Sequence, residues 1–434
     1  MTTDDLLARH KAVMPSWLML YYDEPIEIAS GSGRRVTDGQ GRTYLDFFGG
    51  VLTNMIGYDI PEIRAALERQ LDTGVVHSST LYLIRQQIDL AEKIARLSGI
   101  PDARVFFTNS GSEANEAALL LATNYRRSNQ ILAVRNSYHG RTYATMGVTG
   151  NRAWSASALS PLNVSFLHSG DRLRGLLAGR SEADHIDAAV TDLREILATQ
   201  TTGDVAALIA EPIQGVGGFV SAPDGMFGAY RKVLDETGIL YISDEVQTGW
   251  GRTGEHFWGY QAHGVVPDLL TFAKGVGNGL ALAGVVGRAD VMNSANGISF
   301  STFGGNPLST AGANAVIDYL LEHDLQANAA RTGAILQDGL RAEAANFSIV
   351  ADVRGKGLML AIEFVEPGTL NPNAYATSRV FEECKKRGLL VGKGGLYGNT
   401  IRMGPPMTLT EDEAREGLAI LLDAIEAVDG EAAE

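Results

Sequence analysis

The hydrophobic pattern downstream of residue 60 switches repeatedly between two periodicities. Apolar residues recur at helical spacing over 61–71 and 85–97, while 104–107, 131–135 and 164–168 are short continuous apolar runs. Helices that alternate with short apolar strands are typical of a sheet buried on both faces. The pattern therefore predicts an α/β fold with a large, mostly parallel sheet flanked by helices.

Three further apolar runs end in a polar residue, at Glu211, Asp244 and Lys274. In open α/β sheets the ligand crevice lies outside the carboxyl ends of the strands. We therefore expect these three side chains to converge on one crevice.

The two ends of the chain have a different character. Residues 26–46 alternate short β-like runs with Gly-containing turns, which predicts an antiparallel meander, and the C-terminal part predicts a smaller α+β unit ending in a helix from Glu411. We expect the meander to complete that unit. The predicted organisation is an N-terminal segment of the small domain, a large domain and the C-terminal part of the small domain, at residues 1–60, 61–320 and 321–434.

Composition and charge narrow the class of protein. The chain has 434 residues, 45% of them hydrophobic, and a formal net charge of −15, which argues against a nucleic-acid surface. No run of eighteen apolar residues predicts a membrane span, and the acidic N-terminus is unlike a secretory signal. The single cysteine, Cys384, excludes a disulfide within one chain. We expect a cytoplasmic protein with no nucleic-acid or membrane partner and no metal site.

A small-residue motif at residues 109–116 follows a predicted strand and opens a long apolar helix. Small side chains let backbone N–H groups approach a phosphate, and the helix dipole adds attraction at the same end. An ordinary N-cap with Ser at the cap position explains the motif equally well.

Asp244 and Lys274 add a specific chemistry. A carboxylate at a strand end can pair with a protonated pyridine nitrogen, and a lysine at the next strand end can form an imine with an aldehyde cofactor. Gly275 and Gly277 keep the approach to Lys274 open, and burial would lower its pKa and free the amine as nucleophile and base. The alternatives are a surface lysine at a sheet edge and an aspartate that caps a helix.

Taken together, these motifs resemble those of the class III (ω-amino acid) aminotransferases, a subgroup of the pyridoxal 5'-phosphate (PLP) enzymes of fold type I. The resemblance extends over about residues 44–408, and the order and spacing of its segments are specific. The matching segments are 109–115, 138–141, 211–215, 244–254, 274–275 and 302–307.

The resemblance implies a role for each matching residue. Lys274 would hold PLP as a Schiff base and move the proton on the substrate's α-carbon, and Asp244 would pair with the pyridine nitrogen. The other implied contacts are Gly111 and Ser112 with the phosphate, Tyr138 and Val246 on the two ring faces, Gln247 near the 3'-oxygen, Glu211 orienting Gln247, and Thr302 reaching the phosphate in a neighbouring subunit. This last contact implies a homodimer, or a tetramer, with shared active sites.

The substrate side of the resemblance depends on Arg402, which matches the arginine that binds the substrate's acidic group through a bidentate fork. Some relatives carry a glutamate that masks this arginine, at the position of Val216 here, so we expect Arg402 to stay unmasked. Many relatives also have two histidines in the segment that reads Gly-Tyr-Asp-Ile-Pro at 57–61 here. We expect residues near Leu52, together with aromatic residues near the N-terminus, to shape the substrate pocket.

Two reactions follow from the branch of the family that this chain resembles most. That branch holds alanine-glyoxylate aminotransferase 2 and the ethanolamine-phosphate phospho-lyases. We favour β-elimination of phosphate from a small phosphorylated amine, because an unmasked arginine suits it. The alternative is transfer of an amino group from alanine or an ω- or β-amino acid to pyruvate or glyoxylate.

Overall fold

A computed structural model describes residues 3–295 and 297–433. Its centre is a seven-stranded sheet. Five adjacent strands run parallel to one another, and Ala283–Arg288 runs antiparallel to the strand on either side. The order across the sheet is Ala103–Thr108, Ala283–Arg288, Leu269–Phe272, Leu240–Asp244, Ala207–Ala210, Gln130–Val134 and Asn163–Leu167.

The antiparallel strand Ala283–Arg288 was not predicted from the sequence, because two glycines interrupt its apolar pattern. A Cβ on Gly284 would lie 2.6 Å from the carbonyl oxygen of Phe106, and one on Gly287 would lie 2.3 Å from a methyl group of Leu269. Close strand packing therefore requires the residue type that weakens the strand signal.

The helices lie largely where the periodicity predicts them. The predicted helices at 61–71 and 85–97 are observed at Pro61–Asp72 and Arg85–Leu97, and the latter buries Leu90 and Ile94. The α-helices are Thr3–Val13, Gly49–Leu52, Pro61–Asp72, Arg85–Leu97, Gly111–Arg126, Tyr143–Val148, Glu182–Thr199, Met226–Thr237, Ala289–Met292, Pro307–Glu322, Leu325–Ala344, Ala374–Lys386 and Glu411–Ala433, and short 3₁₀ turns occur at Arg152–Trp154, Gly259–His263 and Lys274–Gly277.

The N-terminal meander pairs with a strand from the C-terminal part of the chain. Leu389–Leu390 lies parallel to Thr43–Asp46 and extends the meander to four strands. The other meander strands are Ile28–Ser32 and Arg35–Asp38, a second four-stranded sheet consists of Val350–Lys356, Met359–Phe364, Thr400–Met403 and Gly392–Gly394, and Ile213–Gln214 pairs with Val220–Ser221. The domain boundaries at residues 60 and 320 stay a prediction.

The core covers both faces of the central strands. Ala207–Ala210 and Leu240–Asp244 are buried at every position. The buried central sheet thus gives a rigid support to the side chains that follow its strands.

Within the described residues, no helix is both long enough and apolar enough to cross a lipid bilayer.

Candidate active site

A cavity of about 350 Å³ lies at the carboxyl ends of the central strands. Glu211 follows the strand Ala207–Ala210, Asp244 ends its own strand, and Lys274 stands two residues beyond Leu269–Phe272. All three line this cavity, together with Thr53, Asn109, Ser110, Gly111, Ser112, Asn115, Tyr138, His139, Gly140, Val246, Gln247, Ala273 and 279–282.

Asp244 is buried and held by three hydrogen bonds. Its Oδ2 accepts from Nδ2 of Asn115 at 2.7 Å and from Nδ1 of His139 at 2.8 Å, and its Oδ1 accepts from the backbone N–H of Val246 at 3.1 Å. An ionised carboxylate only accepts hydrogen bonds, so the His139 ring carries a proton on Nδ1. This arrangement fixes the position of the Asp244 carboxyl group at the wall of the cavity.

Asn115, His139 and Thr271 form a support for Asp244 that the sequence reasoning missed. The hydroxyl of Thr271 donates to Oδ1 of Asn115 at 2.7 Å, and Nδ2 of Asn115 also donates to the carbonyl of His139 at 2.8 Å. The available signal was helical spacing, because Asn115 lies one turn after Gly111 and so faces the same side of its helix.

Lys274 has a backbone φ of 48°, in the left-handed region. This conformation is uncommon for a residue with a side chain and occurs mainly where the surroundings enforce it. Burial lowers the pKa of the Lys274 amine, and Arg402 lowers it further, while Asp244 and Glu211 oppose the shift. A lowered pKa makes the neutral, nucleophilic amine easier to reach near neutral pH.

The N-terminus of Gly111–Arg126 opens onto the same cavity. Ser110 caps the helix by accepting from the N–H of Glu113, and the N–H groups of the first turn have no partner inside the helix. A Cβ on Gly111 would approach both methyl groups of Val246 at 3.2 Å. The free N–H groups, the absent side chain and the helix dipole therefore fit a phosphate at this end.

The walls of the cavity fit a flat ring. Tyr138 makes an edge contact with Trp154 at 5.7 Å between ring centroids, and Val246 packs with Ala273 among small buried residues. Oε1 of Gln247 is buried without a hydrogen-bond partner, so this amide is available to a ligand in the cavity. The residues that line the cavity therefore fit a flat ring that carries a phosphate, such as PLP.

Among the described residues, the hydrogen bonds of Glu211 go to backbone groups and not to Gln247. Its two carboxylate oxygens instead accept from the backbone N–H groups of Tyr138 at 2.9 Å and Gly215 at 2.8 Å. Two buried N–H groups need acceptors, and the carboxylate provides them. Glu211 therefore fixes the backbone on either side of the cavity, and its role in orienting Gln247 stays a prediction.

We expect the free energy of unfolding to depend on pH through the ionisation of Glu211. Burial raises the pKa of Glu211 to about 7, against the neighbouring His139, which lowers it. A carboxyl whose pKa is raised on folding contributes stability that is complete below its unfolded pKa and is lost as the pH rises through its folded pKa. Between pH 5 and 8 this group should cost the protein about 2–3 kcal/mol.

Chemical unfolding of the parent and Glu211→Gln at pH 5, 6, 7 and 8 tests this. The glutamine cannot ionise, so the free energy of unfolding of the variant relative to the parent should rise with pH. A constant difference across the range would contradict the raised pKa, whatever its size.

Arg402 is buried, with 2% of its surface exposed. Its Nε and Nη2 donate to the carbonyl of Lys393 at 3.0 and 2.7 Å, and its Nη1 donates to the carbonyl of Gly215 at 3.0 Å. The rings of Phe48 and Phe219 each lie 5.5 Å from the guanidinium carbon. Burial lowers the pKa of Arg402, opposed by the nearby hydroxyl of Tyr21.

No carboxylate within the described residues forms an ion pair with Arg402, and Val216 is a buried apolar residue. Thus no acidic side chain in this part of the chain masks the guanidinium. Backbone carbonyls, however, already accept from some of its N–H groups. Three of its five N–H donors bond to carbonyls and a fourth bonds to the Tyr21 hydroxyl oxygen, so one N–H group remains for an acid.

Three expected residues lie outside the cavity wall, and one of them is Arg402, although its charge acts on Lys274. Leu52 is buried against Phe48 and Phe219, with a φ of 62°, and the neighbouring Thr53 lines the cavity in its place. Thr302 is exposed on the loop before the helix Pro307–Glu322. Its contact with a neighbouring subunit stays a prediction.

Comparison with known proteins agrees with this geometry. The family described as aminotransferase class-III matches residues 21–425. A mitochondrial alanine–glyoxylate aminotransferase 2 homologue of Arabidopsis thaliana is 38% identical, over 95% of this chain and 85% of its own. A PLP-bound amine transaminase from an uncultivated Pseudomonas species superposes with a TM-score of 0.88 at 32% identity, covering 96% of this chain and 98% of that one.

A solved phospholyase from Arthrobacter, in complex with phosphoethanolamine, is equally similar. Its TM-score is 0.88 at 32% identity, and the match covers 98% of this chain and 100% of that one. Similarity of this extent therefore includes enzymes of both reaction types.

Proposed function

Because the chain belongs to the class III aminotransferases, PLP enzymes of fold type I, we propose that it transfers the amino group of a small acidic amine to a keto acid. The donor would be alanine or an ω- or β-amino acid, and the acceptor pyruvate or glyoxylate. The observation that carries this choice is the hydrogen bonding of Arg402.

A carboxylate suits the one N–H group that Arg402 has left. One carboxylate oxygen could accept from this N–H group and the other from the O–H of Tyr21, whose oxygen accepts from the guanidinium. A phosphate dianion has three terminal oxygens and twice the charge, so it needs more donors than this partly used guanidinium provides. The same carboxylate site would serve the amine donor and the keto acid acceptor in turn.

The roles of the remaining residues follow from their positions. When bound, PLP supplies a ring that accepts electrons from the substrate's α-carbon. Asp244 would hold the ring nitrogen in its protonated form, with Asn115 and His139 fixing the carboxylate. Lys274 would carry the cofactor and then move a proton at the α-carbon, which its lowered pKa allows.

Phospho-lyase activity is the second candidate. It is supported by the whole-length similarity to the Arthrobacter phospholyase and by the absence of an acidic residue at Val216. The first steps at Lys274 would be the same, and the reactions part only when phosphate leaves the β-carbon.

Two assays on the purified, PLP-loaded enzyme separate the candidates. Alanine with glyoxylate should give pyruvate and glycine, while ethanolamine phosphate without a keto acid should release no inorganic phosphate. In Arg402→Gln, the KM for each acid should rise about 10–100-fold through loss of the charge-assisted pair. Catalytic phosphate release, with no amino transfer from any acid tried, would overturn the aminotransferase proposal in favour of the lyase.

A homodimer is proposed for the assembly, and members of the family typically act as dimers. Large apolar side chains are exposed on the loop that carries Thr302, where Ile298 is 97% exposed and Phe303 60%. Exposed apolar residues in such number are typical of an interface. A cytoplasmic location stays a prediction, and the Arabidopsis relative is described as mitochondrial.

A further inference from the structure

A second cavity, of about 390 Å³, lies beyond the turn 213–218. It opens at the carboxyl ends of two parallel strands, where Arg135 follows Gln130–Val134 and His168 follows Asn163–Leu167. Among the described residues, it shares no lining residue with the cavity of Lys274. It is therefore a separate site at the edge of the same sheet that is suited to bind ligands.

Three guanidinium groups line this cavity, from Arg135, Arg152 and Arg174. Two carboxylates face them, from Asp171 and Glu363. On a chain with a formal net charge of −15, an excess of cationic over anionic lining is unexpected unless the site holds an anion.

Both carboxylates already have partners, and for Glu363 one of these is Arg174 itself. Glu363 also pairs with Arg354 at 2.7 Å, a residue outside the cavity lining. Oδ1 of Asp171 accepts from the backbone N–H groups of Leu173 at 2.9 Å and Arg174 at 3.0 Å. The cationic groups of the cavity are consequently compensated only in part.

The arginines retain unused donors. Nη2 of Arg174 is buried and has no hydrogen-bond partner, although Nε and Nη1 bond to Glu363 and to the carbonyl of Leu370. In the part of the chain that the structure describes, no carboxylate pairs with Arg135 or Arg152; the guanidinium of Arg135 only contacts Nδ1 of His168, at 3.1 Å. Arg135 and Arg152 are exposed to solvent, whereas Nη2 of Arg174 is a buried donor without an acceptor, which is costly. An anion would supply that acceptor.

The mouth of the cavity is apolar. Leu176 is 75% exposed, Leu396 43% and Tyr397 54%, and the guanidinium of Arg174 lies 5.7 Å from the centre of the Tyr397 ring. A ligand that placed an anionic group among the arginines would lay its carbon body on these side chains.

We propose that this cavity binds a small organic phosphate. Its phosphate would lie between Arg135, Arg152 and Arg174, since three guanidinium groups exceed what one carboxylate needs. Its carbon body would contact Leu176, Leu396 and Tyr397.

Binding of the phosphate ligand would affect Arg402 and Glu211 in the active site through the turn 213–218. Gln214 donates to the carbonyl of Arg135 at 2.7 Å, and Asn136 donates to the carbonyl of Gly217 at 3.1 Å. Gly215 lies between Gln214 and Gly217 in the sequence. Its carbonyl accepts from Arg402, and its N–H donates to Glu211. The ligand would therefore alter the KM of the acidic substrate.

Isothermal titration calorimetry on the PLP-saturated enzyme tests the site, with inorganic phosphate and phenyl phosphate as probes. Saturated PLP keeps both probes away from the phosphate site at Gly111. We expect one site per chain and tighter binding of phenyl phosphate. Arg135→Gln and Arg152→Gln should each weaken it about tenfold or more, as expected for loss of one charge-assisted contact.

The matched controls are Arg172→Gln, an exposed arginine outside this cavity, and Arg402→Gln. Arg172→Gln should bind phenyl phosphate like the parent, and Arg402→Gln should keep one site per chain, with only the change in affinity that its contact with Gly215 transmits. The absence of saturable binding, unchanged binding in both Arg135→Gln and Arg152→Gln, or loss of binding in Arg402→Gln would overturn the proposal. Because the readout is binding, it stays informative whichever reaction the enzyme catalyses.

Discussion

Lys274→Ala is expected to reduce turnover at least about 10⁴-fold, because one side chain carries the cofactor and moves the proton. The loss should fall on kcat rather than on KM, since Arg402 and the acid site are unchanged. The visible absorbance of the lysine-bound cofactor should disappear at the same time. The free energy of unfolding should stay the same or rise, because burial disfavours the charged amine.

Lys232→Ala is the matched control, since Lys232 is exposed on the helix Met226–Thr237. It should keep both the absorbance and the activity. Borohydride reduction of the parent followed by peptide mapping should tag Lys274. A tag on any other lysine, or a Lys274→Ala enzyme that turns over at a normal rate, would refute the assignment.

The central sheet was predictable where burial on both faces leaves an apolar run. The strands at Gln130–Val134 and Leu240–Asp244 are of this kind, and the helix Pro307–Glu322 follows from its periodicity. Ala283–Arg288 was not predictable in this way, because its glycines are required by close neighbours that lie far away in the sequence. Such contacts leave no local pattern.

Some features of the active site were likewise predictable from the sequence, and others were not. Glu211, Asp244 and Lys274 could be brought together from the sequence, because strand ends of one sheet converge. The partners of Glu211 could not, since they are backbone N–H groups at Tyr138 and Gly215 whose placement depends on two distant turns. For the same reason, the carbonyls that occupy Arg402 are visible only in the structure.

Asp244→Asn should lower kcat at least about 10³-fold while leaving the size of the side chain unchanged. Without the carboxylate, the pyridine nitrogen loses the anion that keeps it protonated, so the ring accepts electrons less well from the substrate. The asparagine also disturbs its supports, because Asn115 and His139 both donate to Oδ2. If the new NH₂ group takes that position, it faces two donors, and leaving these unpaired costs about 1–3 kcal/mol each.

Loss of the partner of the ring nitrogen and loss of the hydrogen bonds that support Asp244 can be separated, because they change different measured quantities. Loss of the ring's partner changes kcat and the absorbance spectrum of the bound cofactor, whereas loss of the supports lowers the free energy of unfolding of the enzyme. His139→Phe, which keeps the carboxylate but removes one donor, should therefore lower stability more than it lowers kcat. Asp338→Asn, at an exposed position on Leu325–Ala344, should change neither. If Asp244→Asn lost stability but kept kcat and the spectrum of the parent, Asp244 would be only a structural residue, and the ring nitrogen would have to find its partner elsewhere.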